Sequence, residues 1–243
     1  MEKKLSDVSI SGSGKIAGGE YGSVRISGSG KITGDIVANS VHASGSAHAM
    51  GVESGEIRAS GSFRAEGNVK ANTIHVSGSG HIDGTVEAGN IHVSGSFYAK
   101  GAISAGEIHT SGSFKTESGV EADKIILAGG ASIDGLLNAD EINIRLGGNV
   151  SIGEIGGEHI YVKKGDHRIN LTFQFFGLNK RFTGNMLKTN SIEGTEVVLE
   201  NTICPIVRAK NVYIGEGCEI ERVEYEETLE IHENATVKEQ IKI

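Results

Sequence analysis

Three histidines recur at one spacing: His75, His92 and His109, with His42 earlier in the same series and Arg25 and Arg58 filling it elsewhere. Imidazole is the commonest transition-metal ligand and the side chain that titrates nearest neutrality. A zinc site needs ligands converging on a tetrahedron, with carboxylates behind them. An evenly spaced ladder supplies neither, so the column reads as a solvated outer stripe whose protonation sets like charges side by side. A second basic series runs Lys15, Lys31, His48, Arg64, His81 and Lys115. Two residues further on in each repeat stand Glu66, Asp83, Glu117 and Asp134, so stripes of opposite sign lie next to each other. The acids are spread singly, not clustered in a cleft as in pectin-cleaving β-helices. No HExxH, phosphate-binding loop, dinucleotide fingerprint or nucleophile elbow is present. No enzyme, cofactor or metal is expected.

These residues are positioned by a repeat. Units begin at Val24, Val41, Ile57, Ile74, Ile91, Ile108 and Ile125, with an earlier one at Val8 and a looser one at Ile142, spaced 16 to 18 residues apart and mostly 17. The unit from Ile74 reads IHVSGSGHIDGTVEAGN. Apolar residues alternate within it in three short runs: Ile74 and Val76, then Ile82, then Val86 and Ala88. A period of two indicates strands. The runs are separated by SGS and by a second glycine, so these are corners and not flexible linkers. Glycine is expected to supply unusual backbone angles there, and serine hydroxyls to hold the turns. Three short parallel strands per unit, none able to bury its own apolar face, stack into a coil with one thin core. The unequal corners favour a right-handed coil. The fold class is all-β: a single right-handed parallel β-helix of roughly thirteen turns interrupted by one insertion. Phe63, Phe97 and Phe114 share the seventh position of their units and read as core, the last two stacked.

Composition agrees. Of 243 residues 36 are glycine but one is proline, and Trp is absent, so the core must be aliphatic and narrow. The net charge of −8 argues against nucleic acid as a partner. MEKKLSDVSISGSG has no apolar signal region, and no stretch of 18 apolar residues follows. With only Cys204 and Cys218, both expected as free thiols, the sequence suggests a reducing cytoplasm.

The pattern divides the chain into 1–162, an insertion at 163–191, and a return of the coil at 192–243. The insertion carries six Lys or Arg against one acid and crowds Phe173, Phe175, Phe176, Leu178 and Phe182. Its run INLTFQF alternates strictly, as in a hairpin. Lys163, Lys164, Arg168, Lys180 and Arg181, with Phe173, Phe175, Phe176 and Phe182, are candidates for contact with an anionic membrane, a membrane protein or another partner. The returning turns hold five basic and twelve acidic residues. There Ile220 and Val237 fill the second run, and Val223 and Ile241 the third.

The repeats SGSGKITGDI, SGSGHIDGTV and SGSFYAKGAI resemble the bactofilin family of bacterial polymer-forming cytoskeletal proteins. The run NSIEGTEVVLENTICPIVRAKNVYIGEGCEIERVEYEETLEI is similar to long bactofilin-like proteins of Gram-positive bacteria, so the resemblance extends over nearly the whole chain. It implies a β-helix that assembles end to end, without nucleotide, into filaments that scaffold other proteins at the membrane. The residues suit that role: Val8, Ile10 and Ile16 in the first turn, and Ile231, Val237, Ile241 and Ile243 in the last, are candidates for self-association. The expectation is a cytoplasmic scaffold, at the inner face of the membrane if it docks there, acting by self-association and recruitment. The alternative is a non-polymerising binding module acting through 163–191, and a more distant one is a polysaccharide enzyme.

Overall fold

The computed structural model describes residues 5–165 and 185–243, and these are all β. Parallel strands wind into a β-solenoid of about 13 turns. Every strand pairing among the described residues is parallel, and the register is that of the repeat: Ile74 lies on Ile91, His75 on His92 and Val76 on Val93. One turn sits about 4.8 Å above the next.

A representative turn holds two strands, not three. The third apolar run continues unbroken into the first run of the next turn, as in Val69–Val76, which bends without losing its ladder. The SGS corner follows, then the short strand Ser79–Ile82. Further along, even these breaks close, and Gly130–Leu146 is one strand of 17 residues. Burial alternates as the period of two requires: Val69, Ala71, Ile74 and Val76 point inward, while Lys70 and Asn72 are exposed. The inward residues form continuous aliphatic columns. Phe63, Phe97 and Phe114 are buried among them, and the rings of Phe97 and Phe114 stack at 5.6 Å with planes 15° apart. Gly80 lies between Phe63 and Phe97 in the same column, where a Cβ would come within 3.0 Å of the Phe97 ring.

The SGS glycine has a different purpose from the one expected. Of the described glycines only Gly19 and Gly217 have positive φ, so the SGS corners need no unusual angle. What they need is close approach. A Cβ on Gly28, Gly45, Gly61, Gly78, Gly95, Gly112 or Gly129 would overlap the carbonyl oxygen of the equivalent glycine one turn below. Backbone bonds hold the corner: Ser94 and Gly95 both donate to the Val76 carbonyl, at 2.9 and 3.2 Å.

The insertion is narrower than the sequence reading drew it. The strand Val150–Lys164 keeps Lys163 and Lys164 in the coil, paired with Arg145 and Leu146. The chain is back by Leu187–Lys188, which lies between Val150–Ser151 and Thr202–Ile203. Leu187 is fully buried, and Thr189 takes the next inward place with its hydroxyl donating to the Gly153 and Ser191 carbonyls. One leucine and one threonine are too thin a hydrophobic signal to have announced the return. Arg168, Phe173, Phe175, Phe176, Lys180, Arg181 and Phe182 lie outside the described residues.

The last turn also departs from expectation by one position. Val223 pairs with Gln240, which leaves Ile241 beside Glu224. The shift keeps Arg222 opposite Glu239, where they form an ion pair at 2.8 Å.

Candidate functional sites: end turns and charged columns

The two ends of the coil differ from its middle in one respect, the cover over their apolar residues. In the middle each inward residue lies between two neighbours in its column. At the first turn Val8 and Ile16 are half-buried and Ile10 is buried. At the last, Leu229, Ile231, Ala235 and Val237 are half-exposed and pack against the core on one side only. Ile243 is 68% exposed. Of the residues proposed for self-association, Val8, Ile10 and Ile16 thus share one end layer, and Ile231 and Val237 the other. Ile241 and Ile243 are near the second layer but outside the core. Leu229 and Ala235 complete that layer and were missed, although Leu229 belongs to the first-strand series.

The outer columns make a regular electrostatic lattice. The eighth-position residue of one turn reaches the tenth-position acid of the next: His48 to Glu66 at 2.7 Å and Arg64 to Asp83 at 2.7 Å. His81 meets Asp83 within its own turn at 3.0 Å. Asp83, with these two partners, is held below the usual carboxylate range, chiefly by the hydrogen bond to His81. Tyr98 fills the same column, which the charge pattern had hidden, and donates to Glu117 at 2.6 Å. Its phenol is raised by that bond first and by burial next.

The histidine ladder forms as its spacing requires. His75 and His92 stack with centroids 4.9 Å apart, and His92 and His109 tilt at 5.4 Å. Burial, then the like charges of His75 and His109, push the His92 imidazole below its ordinary value. Among the described residues no group of three or more His, Cys, Asp or Glu is placed to hold a metal ion. The thiols of Cys204 and Cys218 are buried and free, and burial raises each to about 11, which makes them poor nucleophiles.

A coil with repeating corners and half-covered ends is a geometry that many proteins could share, and the family comparison narrows it. Residues 50–138 match the bactofilin family, described as polymer-forming cytoskeletal. This stretch is similar to a bactofilin domain. It contains Phe63, Phe97, Phe114 and the histidine ladder, and it lies inside the coil without reaching either end. The C-terminal run that resembles long bactofilin-like proteins falls outside the matched residues. "Uncharacterized protein YhbF" of Bacillus subtilis (strain 168) is 39% identical over 90 residues, which are 37% of this chain and 34% of that protein. The chain thus matches about a third of the length of that curated relative. No solved structure matches.

On the flank of the coil, beyond the residues that match the bactofilin family, Arg145 and Lys163 are direct ladder neighbours, with Lys164 next to them. Both lysines are exposed and none of the three forms an ion pair among the described residues. Like charges facing each other across a ladder are unfavourable. No helix among the described residues is long and apolar enough to cross a membrane.

Proposed function

We propose that this chain is a bactofilin-type scaffold that self-associates end to end and recruits partners, without catalysis. The observation that supports it best is the pairing of a polymer-forming domain with a coil whose first and last turns have half-covered apolar layers. About four aliphatic residues at an end stabilise a joint by at most roughly 10 kcal/mol. Association costs about 4–15 kcal/mol. Apolar burial alone is marginal, and the open strand edges must contribute by pairing across the joint.

Electron microscopy and sedimentation of the purified protein test this. Filaments or long oligomers are expected. Val237→Glu, in the end layer, should leave folded short species. Ile241→Glu, outside that layer, should assemble more nearly as the native protein does. A native protein that stays monomeric at high concentration would overturn the reading.

The cations at Arg145, Lys163 and Lys164, without ion-pair partners among the described residues, favour a second role alongside the first, contact with an anionic surface such as the inner face of a membrane. Each such residue near an anionic bilayer contributes about 1 kcal/mol. Co-sedimentation with anionic vesicles that is unchanged in the triple glutamine variant would exclude it for these residues.

A further inference from the structure

Resting on the reading of Arg145, Lys163 and Lys164 as contacts for an anionic surface, we propose that this surface is the acidic third-run face of a second copy of the chain, so that filaments lie side by side in rafts.

The cations come first. Arg145 and Lys163 are ladder neighbours where the first corner begins, Lys164 follows, and Lys188 stands in the second run of the same turn as Lys163. All four are exposed, and none forms an ion pair among the described residues. Elsewhere on the coil an outward cation meets an acid of the next turn, as Arg64, Lys70 and Lys124 do at 2.7, 2.6 and 2.7 Å. Like charges kept on adjacent rungs without such a partner repel, and an external anion removes that cost.

The matching anions are across the coil. In four successive turns the outward positions of the third run hold Glu121, Asp123, Asp140, Glu154, Glu158 and Glu193, and no lysine or arginine. These six acids are exposed, and none forms an ion pair among the described residues. They occupy about 14 Å of coil. The cations overlap them in height. The turn of Arg145 contains Glu154 and Glu158, and the turn of Lys163, Lys164 and Lys188 contains Glu193. Within one chain the first corner is separated from the third run by the second run on one side and the first run on the other. Arg145, Lys163 and Lys164 therefore cannot reach these acids, but a sideways shift of a second copy brings the two sets together.

Shape agrees with charge. The inward position between the acidic columns holds only Ala122, Ala139, Gly157 and Gly194. In earlier turns the same columns line an open groove of about 400 Å³ over Ala71 and Ala88. A corner bearing long arginine and lysine side chains fits a hollow face. Because corner and face lie on opposite sides of the coil, a two-fold pair cannot form both contacts. Each copy offers one side to each neighbour, and the contact is open-ended. Exposed ion pairs are individually weak. The raft therefore holds where many copies already joined in a filament act together.

Charge swaps followed by electron microscopy at low salt test this. The native protein should form rafts, which separate into single filaments toward 1 M salt, where the screening length is about 3 Å. Arg145→Glu, Lys163→Glu and Lys164→Glu together should leave single filaments. So should Asp140→Lys, Glu154→Lys and Glu158→Lys together. Carrying both sets in one chain should bring rafts back, which misfolding in either set could not do. Vesicles of anionic lipid separate the two sources of negative charge. The second set keeps the cations, so it should lose rafts and still sediment with vesicles. Rafts that survive either set would overturn the neighbouring copy as the partner, and vesicle binding lost in the first set would then leave the anionic-surface reading standing. Rafts and vesicle binding both unchanged in the first set would overturn that reading, and this proposal with it. Native filaments that never pair at low salt would overturn the proposal and leave end-to-end association intact, whereas monomers would overturn both.

Discussion

The stretch that matches the bactofilin family and the turns from Leu187 onward build the same coil with different corners. In the first, the corner is glycine stacked on glycine, at ordinary backbone angles, each lacking a Cβ because the carbonyl below occupies its place. In the second, the corresponding corners turn through left-handed residues, Asn201 with φ of 46° and Gly217 with φ of 76°, and Gly217 sits against the Asn201 side chain. The cores differ as well. Phe63, Phe97 and Phe114 share the seventh-position column in one, whereas Leu187, Thr202 and Cys218 fill it in the other. On the outer face both use pairs of opposite charge, such as Arg64–Asp83 at 2.7 Å in the first and Arg208–Glu224 at 2.6 Å in the second, but the stacked histidines belong to the first alone among the described residues. The winding and register are therefore set by the alternation of inward aliphatic residues, and the corner chemistry is one of several ways to close a turn.

Substitutions at matched positions sharpen this contrast. Phe97→Ala should have the largest effect, a loss of about 3–5 kcal/mol from cavity and transfer together. The matched Cys218→Ala, far smaller in volume, should cost much less by the same denaturant titration. Gly95→Ala comes next. Its methyl collides with backbone that cannot move without shifting two turns, so a loss on the order of 3 kcal/mol is expected. Gly217→Ala should cost about 1–2 kcal/mol, the strain of a left-handed alanine, because the neighbouring Asn201 side chain can yield. If the two glycine variants melt alike, the distinction between the corners fails.

The smallest effect is pH dependence confined to the histidine ladder. His92 binds its proton less readily folded than unfolded, so between its depressed folded value and the ordinary one near 6.5 the unfolded chain holds more protons. Stability is full above the unfolded value and falls as pH drops through that window. Thermal melts of the native protein should show a modest decline in acid, and His92→Gln should flatten it. An unaltered profile in the variant would place the dependence elsewhere.

The fold was legible because its signal is redundant. Ile74, Ile91, Ile108 and Ile125 repeat one position in four successive turns, and a single misread residue could not hide the period. The opposed stripes and the stacked phenylalanines followed from that period. What was not legible depended on single residues. Leu187 marks the re-entry of the coil alone. Gln240 takes an inward column where Ile241 looked the better candidate, and only pairing with Val223 decides between them. The reason for glycine at the corner was also hidden, because composition cannot distinguish a residue chosen for its angles from one chosen for having no side chain.

That last distinction bears on how such a coil can change length. A glycine whose missing side chain is replaced by the carbonyl of an identical glycine is complementary to itself. Any turn bearing it can lie on any other, so duplicating or deleting one whole unit restores every contact at the corner. Changing one corner residue, by contrast, damages that turn's fit to its neighbour. The SGS region is thus free to lengthen and shorten in steps of one turn, while the Asn201 and Gly217 corners, which fit each other as a pair, tie the later turns to a fixed order.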